Sequence, residues 1–296
     1  MSEKTNRPAV SVTPPGIDYV ISNRSHEFVY KSLRLSEENF FPQSRVLSIG
    51  EGLSDFSSKL HEKGIDVVAI DPLYAIGKNL FGKSIDETCE IVSRWYQGKV
   101  VFRDYRHEET ISGIPKEPLV AGSVYSLPFP DKSFTHLFGH RIFEHLDLSR
   151  ALPEMIRVLK DDGEIRLGGV QLSAFPKDEK LMTGTLQYNP DTSTFYYIPA
   201  KKIQETFFDL STTQNLPNVY VVLDCLPRMA EVQNQGALVA GLMIIRKDDT
   251  VPTYTPISDG TSPFLGKMYK VDIANFASSP DDNNGHYKLI PVNQLQ

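Results

Sequence analysis

The chain has 296 residues, 40% of them hydrophobic, with a formal net charge of −6 and a sequence pI of about 5.7. At roughly 150 residues per domain, this length allows one large or two small domains, and the apolar fraction excludes disorder throughout. The acidic balance repels phosphate backbones and argues against a nucleic-acid partner. Two cysteines, no signal-peptide pattern and no run of about 18 apolar residues predict a cytoplasmic protein without a membrane contact.

The first 41 residues are predicted to form an arm and a helix that precede the main domain. Three prolines fall within residues 1–18 and favour an extended conformation. From Arg24 to Phe41, apolar residues recur among charges at the spacing of an amphipathic helix.

The following segment has the pattern of a βαβ unit. Residues 45–50 form an apolar run that ends in glycine, which predicts a buried strand. Residues 54–62 are predicted as a helix with Ser54 or Asp55 as its cap, and residues 67–71 form a second apolar strand that ends on a carboxylate. Strand, helix and strand in so few residues imply a parallel sheet covered on both faces.

Further elements follow downstream. The sequence predicts a helix at 149–160 and strands at 135–139, 164–170, 219–223 and 238–246. Together with the βαβ unit, they indicate an α/β fold: a Rossmann-like, doubly wound domain over residues 42–246.

Two segments are longer than ordinary connections, whose median is about 4–6 residues. Residues 73–117 include a predicted helix at 85–95, and residues 171–217 are rich in aromatic side chains. Both start at carboxyl ends of strands, where open α/β sheets bind ligands, so they could roof a pocket. The alternative is surface decoration or an oligomer contact. Residues 247–296, rich in Pro, Asn, Asp and Ser, are predicted as an extended tail.

A glycine pair lies between the first strand and its helix. Asp71 follows Gly52 by 19 residues. Glycines allow a tight turn close to a nucleotide, and an acid at this distance accepts hydrogen bonds from ribose hydroxyls. The dinucleotide fingerprint needs a third glycine, but Asp55 stands there and competes with a pyrophosphate for the helix N-terminus. The loop therefore favours an adenosine ligand without phosphates over a nicotinamide dinucleotide.

Several sequence blocks occur in a fixed order along the chain. They are Val46-Leu-Ser-Ile-Gly-Glu-Gly52, Val68-Ala-Ile-Asp71, Gly122-Ser-Val-Tyr-Ser-Leu-Pro-Phe-Pro-Asp-Lys-Ser-Phe134, Phe143-Glu-His-Leu146, Glu154-Met-Ile-Arg-Val-Leu-Lys160 and Asp162-Gly163. Together they resemble the class I S-adenosylmethionine-dependent methyltransferases, and most closely the branch that methylates small molecules. The likeness is close over about 45–170 and loose over the last two strands.

The resemblance implies a seven-stranded, mostly parallel sheet with an antiparallel last strand, and S-adenosylmethionine as the cofactor. It also implies a place for each matching residue. Gly50 and Gly52 lie along the methionine part, Asp71 at the ribose diol, Pro72 and Leu73 beside the adenine, Ser123 and Val124 at the adenine edge, and Gly139 with His140 at the sulfonium. Glu51, between the two glycines, is counted among the cofactor-binding residues.

The chain departs from the family pattern at four positions. The family usually has an acid where Ser48 stands, glycine at Ser54, and aspartate at Ser123 and at Thr135. A serine accepts a hydrogen bond without the charge that makes such bonds roughly twice as strong. Two functions therefore stay open: methyl transfer to a small molecule or a protein side chain, or a catalytically inactive relative that acts as a binding or scaffold module.

Methyl transfer to an activated carbon needs positioning above all, and a base only when the acceptor must lose a proton. His140, just after the predicted strand 135–139, is the candidate base, with a lining role as its alternative. His136 lies within that strand and is interpreted as a packed histidine. No metal site is expected, because His107, Glu108 and Glu109 are adjacent and cannot all face one ion.

Aromatic residues of the second insertion form the candidate acceptor site. Such side chains give a ligand a large apolar contact area, and tyrosine adds a hydroxyl. The candidates are Tyr188, Phe195, Tyr196 and Tyr197, with Arg103 or Arg106 of the first insertion at the pocket mouth. The alternative is that these aromatics only anchor the insertion to the sheet.

Overall fold

Most of the chain is described by the computed structural model. The described residues are 19–22, 24–80, 82–97, 100–103, 119–140, 142, 146–173, 184–189, 194–199, 218–224, 238–255, 267–273, 277–278 and 285–294. The α-helices among them are α1 (His26–Ser32), α2 (Phe56–Glu62), α3 (Ile85–Tyr96) and α4 (Leu148–Val158). None of the described helices has the length and apolar character needed to cross a membrane.

Local side-chain chemistry sets the ends of these helices. Ser25 caps α1 by accepting a hydrogen bond from the Phe28 N–H at 3.4 Å, and Ser84 forms a reciprocal capping box with Glu87 at the start of α3. Helix α1 ends well before the predicted Phe41. Arg34 has a φ of +56°, which a right-handed helix cannot continue through.

The strands lie where apolar runs predicted them and in several further places. The described strands are β1 (Tyr19–Ser22), β2 (Arg45–Ile49), β3 (Asp66–Ile70), β4 (Val100–Arg103), β5 (Leu119–Val120), β6 (Phe134–His140), β7 (Leu159–Ser173), β8 (Gly184–Asn189), β9 (Thr194–Pro199), β10 (Asn218–Asp224), β11 (Leu238–Arg246), β12 (Met268–Val271), β13 (Ala277–Ser278) and β14 (Gly285–Pro291).

Seven strands form the sheet that the resemblance implies. Their spatial order is β5, β3, β2, β6, β7, β11 and β10. Strands β5, β3, β2, β6 and β7 are parallel, whereas β11 runs antiparallel to both β7 and β10. The α/β class and the antiparallel last strand are confirmed.

The sheet continues beyond these seven strands. Strand β7 also pairs with β8, and β8 pairs with β9, β9 with β14, β14 with β12, and β12 with β10. These pairings return to β7 through β11 and close a ring of seven strands. The prediction of an extended tail over 247–296 needs correction here, since β12 and β14 are integral strands. Lys288 lies between the buried Tyr287 and Leu289 of β14, an alternation that the polar composition of the whole segment obscured.

Helices cover both faces of the sheet. On one face, Met155 of α4 shares a buried cluster with Leu137 and Ile165. On the other, α1 and α2 pack with the opposite sides of the strands, as Phe56 and Phe138 show with ring centroids 6.0 Å apart. Each fully buried side chain of this size contributes roughly 1.5–3 kcal/mol, so packing on both faces of the sheet stabilises the fold.

Arg157 joins the two most specific sequence blocks. Its guanidinium donates to the carbonyls of Leu127 (3.0 Å) and Phe129 (2.9 Å) and to the carboxylates of Asp131 (2.8 Å) and Glu154 (2.9 Å). Glu154 also accepts a hydrogen bond from the Leu127 N–H at 2.9 Å. The Pro-rich turn before β6 is therefore fastened to α4, which explains why the two blocks occur together.

A buried arginine fastens α1 to β7. Arg166 has a fully buried side chain and pairs with Glu164 at 2.6 Å. It also donates to the carbonyls of Leu33 (3.1 Å), Arg34 (3.0 Å) and Thr253 (2.6 Å). The end of α1 and the segment after β11 are thus held against the same face of the sheet.

Candidate functional site

The turn from β2 into α2 is built on two glycines in the left-handed region. Gly50 and Gly52 have φ values of +64° and +63°, which L side chains rarely adopt. A Cβ on Gly50 would lie only 2.6 Å from Ile142 Cγ2. Glycine is therefore needed in this turn for two reasons: the backbone conformation of Gly50 and Gly52, and the close approach of Ile142 to Gly50.

Asp71 ties this turn to the end of β3. Its Oδ2 accepts a hydrogen bond from the Gly52 N–H at 3.0 Å, and its Oδ1 accepts one from the Leu73 N–H at 2.7 Å. Pro72 and Leu73 begin the 3-10 helical turn that follows. A carboxylate has about four acceptor positions, so Asp71 can hold the loop and still accept further hydrogen bonds. Gly52, Asp71, Pro72 and Leu73 are thus brought together.

Glu51, between the two glycines, has a buried carboxylate. Its Oε1 accepts hydrogen bonds from the Ser57 N–H (2.9 Å) and hydroxyl (2.8 Å). Its Oε2 has no hydrogen-bonding partner among the described residues. Burial raises the pKa of Glu51 to about 7; hydrogen bonding from Ser48 and Ser57 opposes this rise, and the nearby charge of Asp71 adds to it.

A pocket opens at the carboxyl ends of β2 and β6, beneath α1. Its lining residues are Arg24, Val29, Leu33, Ser48, Ile49, Gly50, Glu51, Ser54, Phe56, Phe138 and His140. Three predicted site residues, Gly50, Glu51 and His140, therefore share one pocket. Arg24 was not predicted, because a single arginine before a helix cap carries no sequence signal for a site.

His140 ends β6 and is buried. Its ring meets the Phe28 ring edge-on at a centroid distance of 5.4 Å. Gly139 precedes it, and a Cβ at Gly139 would overlap Ile142 and lie 3.1 Å from Leu167 Cδ2. Ile142 therefore packs on Gly50 and Gly139 together, at the edge where the resemblance places the sulfonium.

The predicted adenine edge lies after β5. Ser123 accepts a hydrogen bond from the Tyr125 N–H at 3.3 Å, within a turn that its bridge to Ser126 closes. Val124 is buried in the core. These two residues do not line the pocket beneath α1, but β5 pairs with β3, and the Asp71 N–H donates to the Val120 carbonyl at 3.2 Å.

Two of the departures from the family pattern, Thr135 and Ser54, and the neighbouring Asp55 make hydrogen bonds that hold local structure. Thr135 Oγ1 accepts from the Arg45 N–H at 2.8 Å and donates to the Arg45 carbonyl at 3.0 Å, which fixes the start of β2 against β6. Ser54 accepts from the Phe56 N–H at 3.2 Å. Asp55, at the N-cap of α2, accepts from the His26 N–H of α1 at 2.7 Å. Its carboxylate lies at the start of both helices.

The predicted acceptor residues lie in the strand ring. Tyr188 of β8 is paired with Phe195 of β9, and Tyr196 and Tyr197 are paired with Lys288 and Tyr287 of β14. Arg103 ends β4, opposite Ser22 of β1. Arg106 lies outside the described residues.

The first insertion packs beside the glycine turn. Leu53 shares a buried cluster with Leu73, Leu80, Val92 of α3 and Ile21 of β1. Among the residues that the structure describes, no group of three His, Cys, Asp or Glu side chains is arranged to hold a metal ion.

Comparison with known proteins identifies the kind of domain. The family model "Methyltransferase domain" matches residues 88–167. The resemblance to class I S-adenosylmethionine-dependent methyltransferases is confirmed. The match includes the Pro-rich block before β6 and the α4 block that Arg157 joins, while the glycine turn and Asp71 precede it.

Individual relatives are distant. Uncharacterized methyltransferases of Mycobacterium bovis and Mycobacterium tuberculosis are 25% identical over 123 residues, which cover 42% of this chain and 38% of theirs. The chain thus matches well under half the length of these curated relatives. A S-adenosylmethionine-dependent methyltransferase structure from Methanosarcina mazei is 18% identical, covers 71% of this chain and 96% of that chain, and has a TM-score of 0.39. Similarity of this degree does not identify a substrate.

Proposed function

We propose that this protein binds S-adenosylmethionine at the carboxyl edge of β2, β3 and β6 and transfers its methyl group to a small molecule or a protein side chain. The observation that best supports this proposal is the position of Asp71, which accepts hydrogen bonds from the Gly52 N–H in the glycine turn and from the Leu73 N–H in the turn after β3. The methyltransferase-domain match supports the same reading.

The residues present fit this cofactor. Gly50 and Gly52 keep the backbone of the turn in the left-handed region, and the lack of a side chain at Gly50 lets Ile142 pack directly on the turn. Asp71 offers remaining acceptor positions to ribose hydroxyls, and Ser123 accepts or donates at the adenine edge. When bound, S-adenosylmethionine supplies a methyl group activated by a sulfonium.

The protein's own residues position the reacting groups and remove a proton from the acceptor. Gly139 and Ile142 form the wall against which the reacting groups are held, and exclusion of water by the surrounding apolar side chains strengthens electrostatic contacts there. An imidazole nitrogen of His140 accepts the proton of a hydroxyl or amine acceptor. Tyr188, Phe195, Tyr196 and Tyr197 of the ring, with Arg106, are proposed to line the acceptor site.

Titration calorimetry with S-adenosylmethionine and S-adenosylhomocysteine tests this function. Binding of both at one site per chain supports it. The rival is a catalytically inactive binding module, favoured by the neutral Ser48, Ser123 and Thr135 in place of the family acids. Absence of heat with either ligand on folded protein would establish the rival. The His140→Ala variant is expected to bind S-adenosylhomocysteine with unchanged affinity and to lose methyl-transfer activity.

A further inference from the structure

Strand β7 changes its pairing partner beside the pocket, at two successive glycines. It pairs with β6 as far as Gly168 and with β8 from Leu172 onward. Opposite β11, Gly169 is an extra residue between the paired positions Gly168 and Val170, and its φ of +72° is the left-handed value of a glycine in a β-bulge. Bulges are frequent beside active sites, where they redirect side chains or end strand pairing. This one lies next to His140, which is paired with Gly168.

Gly168 has no room for a side chain. A Cβ at this position would lie 3.1 Å from Leu33 Cδ2, 3.2 Å from His140 Cδ2 and 3.2 Å from the carbonyl oxygen of Ser32. At these distances the neighbouring atoms would have to give way by a few tenths of an ångström. Leu33 and His140 both line the pocket beneath α1. Gly168 therefore lies directly behind two side chains of the pocket wall.

Helix α1 is held against β7 and cannot move away as a unit. Arg166 and Gly168 are two residues apart and lie on the same face of the strand. The Arg166 guanidinium donates to the carbonyls of Leu33 at 3.1 Å and Arg34 at 3.0 Å. These hydrogen bonds fix the backbone at the end of α1, so crowding at position 168 must be relieved by side chains.

The His140 ring is confined from two sides. Phe28 of α1 meets it edge-on with ring centroids 5.4 Å apart, and Gly168 of β7 approaches its Cδ2. Overpacking forces side chains out of their preferred positions. Since the backbones of α1 and β7 are held together, a methyl group at position 168 would displace Leu33 and His140 into the pocket that they line.

We infer that Gly168 is a positioning residue for His140: the missing side chain at this position sets how far the imidazole and Leu33 project into the pocket. The inference rests on the proposed function, in which His140 removes the acceptor proton. Proton transfer requires the two heavy atoms to lie within about 2.6–3.2 Å of each other. A shift of a few tenths of an ångström is large on this scale.

Gly168→Ala tests the inference in the full chain. The ring signals of the seven histidines are recorded by NMR on histidine-labelled protein, and the signal that is missing in His140→Ala is that of His140. In ligand-free Gly168→Ala, this signal is expected to move. In calorimetry, the affinity for S-adenosylhomocysteine is expected to fall by about tenfold, because the displaced side chains occupy part of the pocket.

Gly163→Ala, on the same strand, is the matched control. A Cβ there would lie 2.7 Å from Leu159 Cδ1 and 2.8 Å from the Thr135 carbonyl oxygen, so the crowding is at least as severe. Gly163 lies beside the amino end of β6 and does not adjoin the pocket. Thermal melting is expected to show lower stability for both variants, whereas only Gly168→Ala should change the His140 signal and the affinity.

A double variant keeps the test available if Gly168→Ala does not fold. Leu33→Ala removes the Cδ2 atom that a Cβ at position 168 would meet at 3.1 Å, but it leaves the 3.2 Å contact with His140. Gly168→Ala combined with Leu33→Ala is then compared with Leu33→Ala alone. The added methyl group should still move the His140 signal.

The outcomes are distinct. A His140 signal at its wild-type position, or wild-type affinity for S-adenosylhomocysteine, in folded Gly168→Ala would overturn the inference and leave the proposed function standing. Equal changes in Gly163→Ala would also overturn it, since they would trace the effect to a general loss of packing. Failure of folded wild type to bind S-adenosylhomocysteine would overturn the proposed function, and the inference with it.

Discussion

Replacement of Glu51 by glutamine is expected to stabilise the ligand-free protein, and more so at high pH. The amide keeps an oxygen that accepts the hydrogen bonds from Ser57 and has nearly the same volume. It removes a carboxylate whose pKa is raised by burial from 4.5 to about 7.

The sign follows from proton binding. Between pH 4.5 and 7 the folded protein holds a proton on Glu51 that the unfolded chain releases, so stability from this group is lost as pH rises through that window. The ionised residue then destabilises the fold by about 3 kcal/mol at pH 8, against under about 1 kcal/mol at pH 5. The advantage of Glu51→Gln should therefore grow by about 2–3 kcal/mol between these two pH values.

Chemical denaturation of both proteins at pH 5 and pH 8 measures this difference. Both proteins must be measured, because His136 also titrates in this range. Burial lowers the pKa of His136 to about 4, so its contribution to stability rises with pH up to about 6.5, opposite to that of Glu51. In the wild-type protein, the contributions of Glu51 and His136 to the pH dependence of the free energy of unfolding largely cancel. Subtracting the wild-type value from that of Glu51→Gln at each pH removes the His136 contribution. Glu62→Gln, on the exposed side of α2, is the control and should show no such growth.

A constant difference between Glu51→Gln and wild type at the two pH values would refute the reasoning. So would a larger advantage at pH 5. Either result would mean that the carboxylate is ionised and satisfied in the empty pocket.

Three further perturbations follow from the site and its supports. Asp71→Ala should weaken S-adenosylhomocysteine binding by about 1–3 kcal/mol in calorimetry, since a ribose acceptor and the anchor of the glycine turn are both removed; unchanged affinity would contradict the role of this acid. Gly139→Ala should lower the free energy of unfolding by about 1–3 kcal/mol through overlap with Ile142, and Ile142→Ala in the same chain should recover part of that loss. Arg157→Met should cost about 1–3 kcal/mol, because it strips donors from two carbonyls and two carboxylates. Lys132→Met, which removes an exposed pair with Asp161, should cost under about 1 kcal/mol in the same denaturation assay.

The parallel half of the fold could be predicted from sequence because its signals are local. Apolar runs at 45–49 and 66–70 end in glycine and in Asp71, and buried parallel strands have this continuous character. The position of Asp71 beside the glycine turn could be predicted from its spacing of 19 residues after Gly52. Its hydrogen bond to the Gly52 N–H, 19 residues away, then gives the spacing a physical reason.

The strand ring could not be predicted in this way. β12 and β14 are separated from their partners β10 and β9 by long stretches of chain. Long-range pairing of this kind leaves little local trace. The same holds for Arg24, whose place in the pocket depends on how α1 is fastened by Arg166 and Asp55.

A crystal structure with S-adenosylhomocysteine tests the central claim most directly. The account predicts ribose hydroxyls within hydrogen-bonding distance of Asp71, adenine beside Leu73 and Ser123, and the sulfur next to Gly139. S-adenosylhomocysteine bound elsewhere, or absent from crystals grown at millimolar ligand with this edge open to solvent, would contradict it.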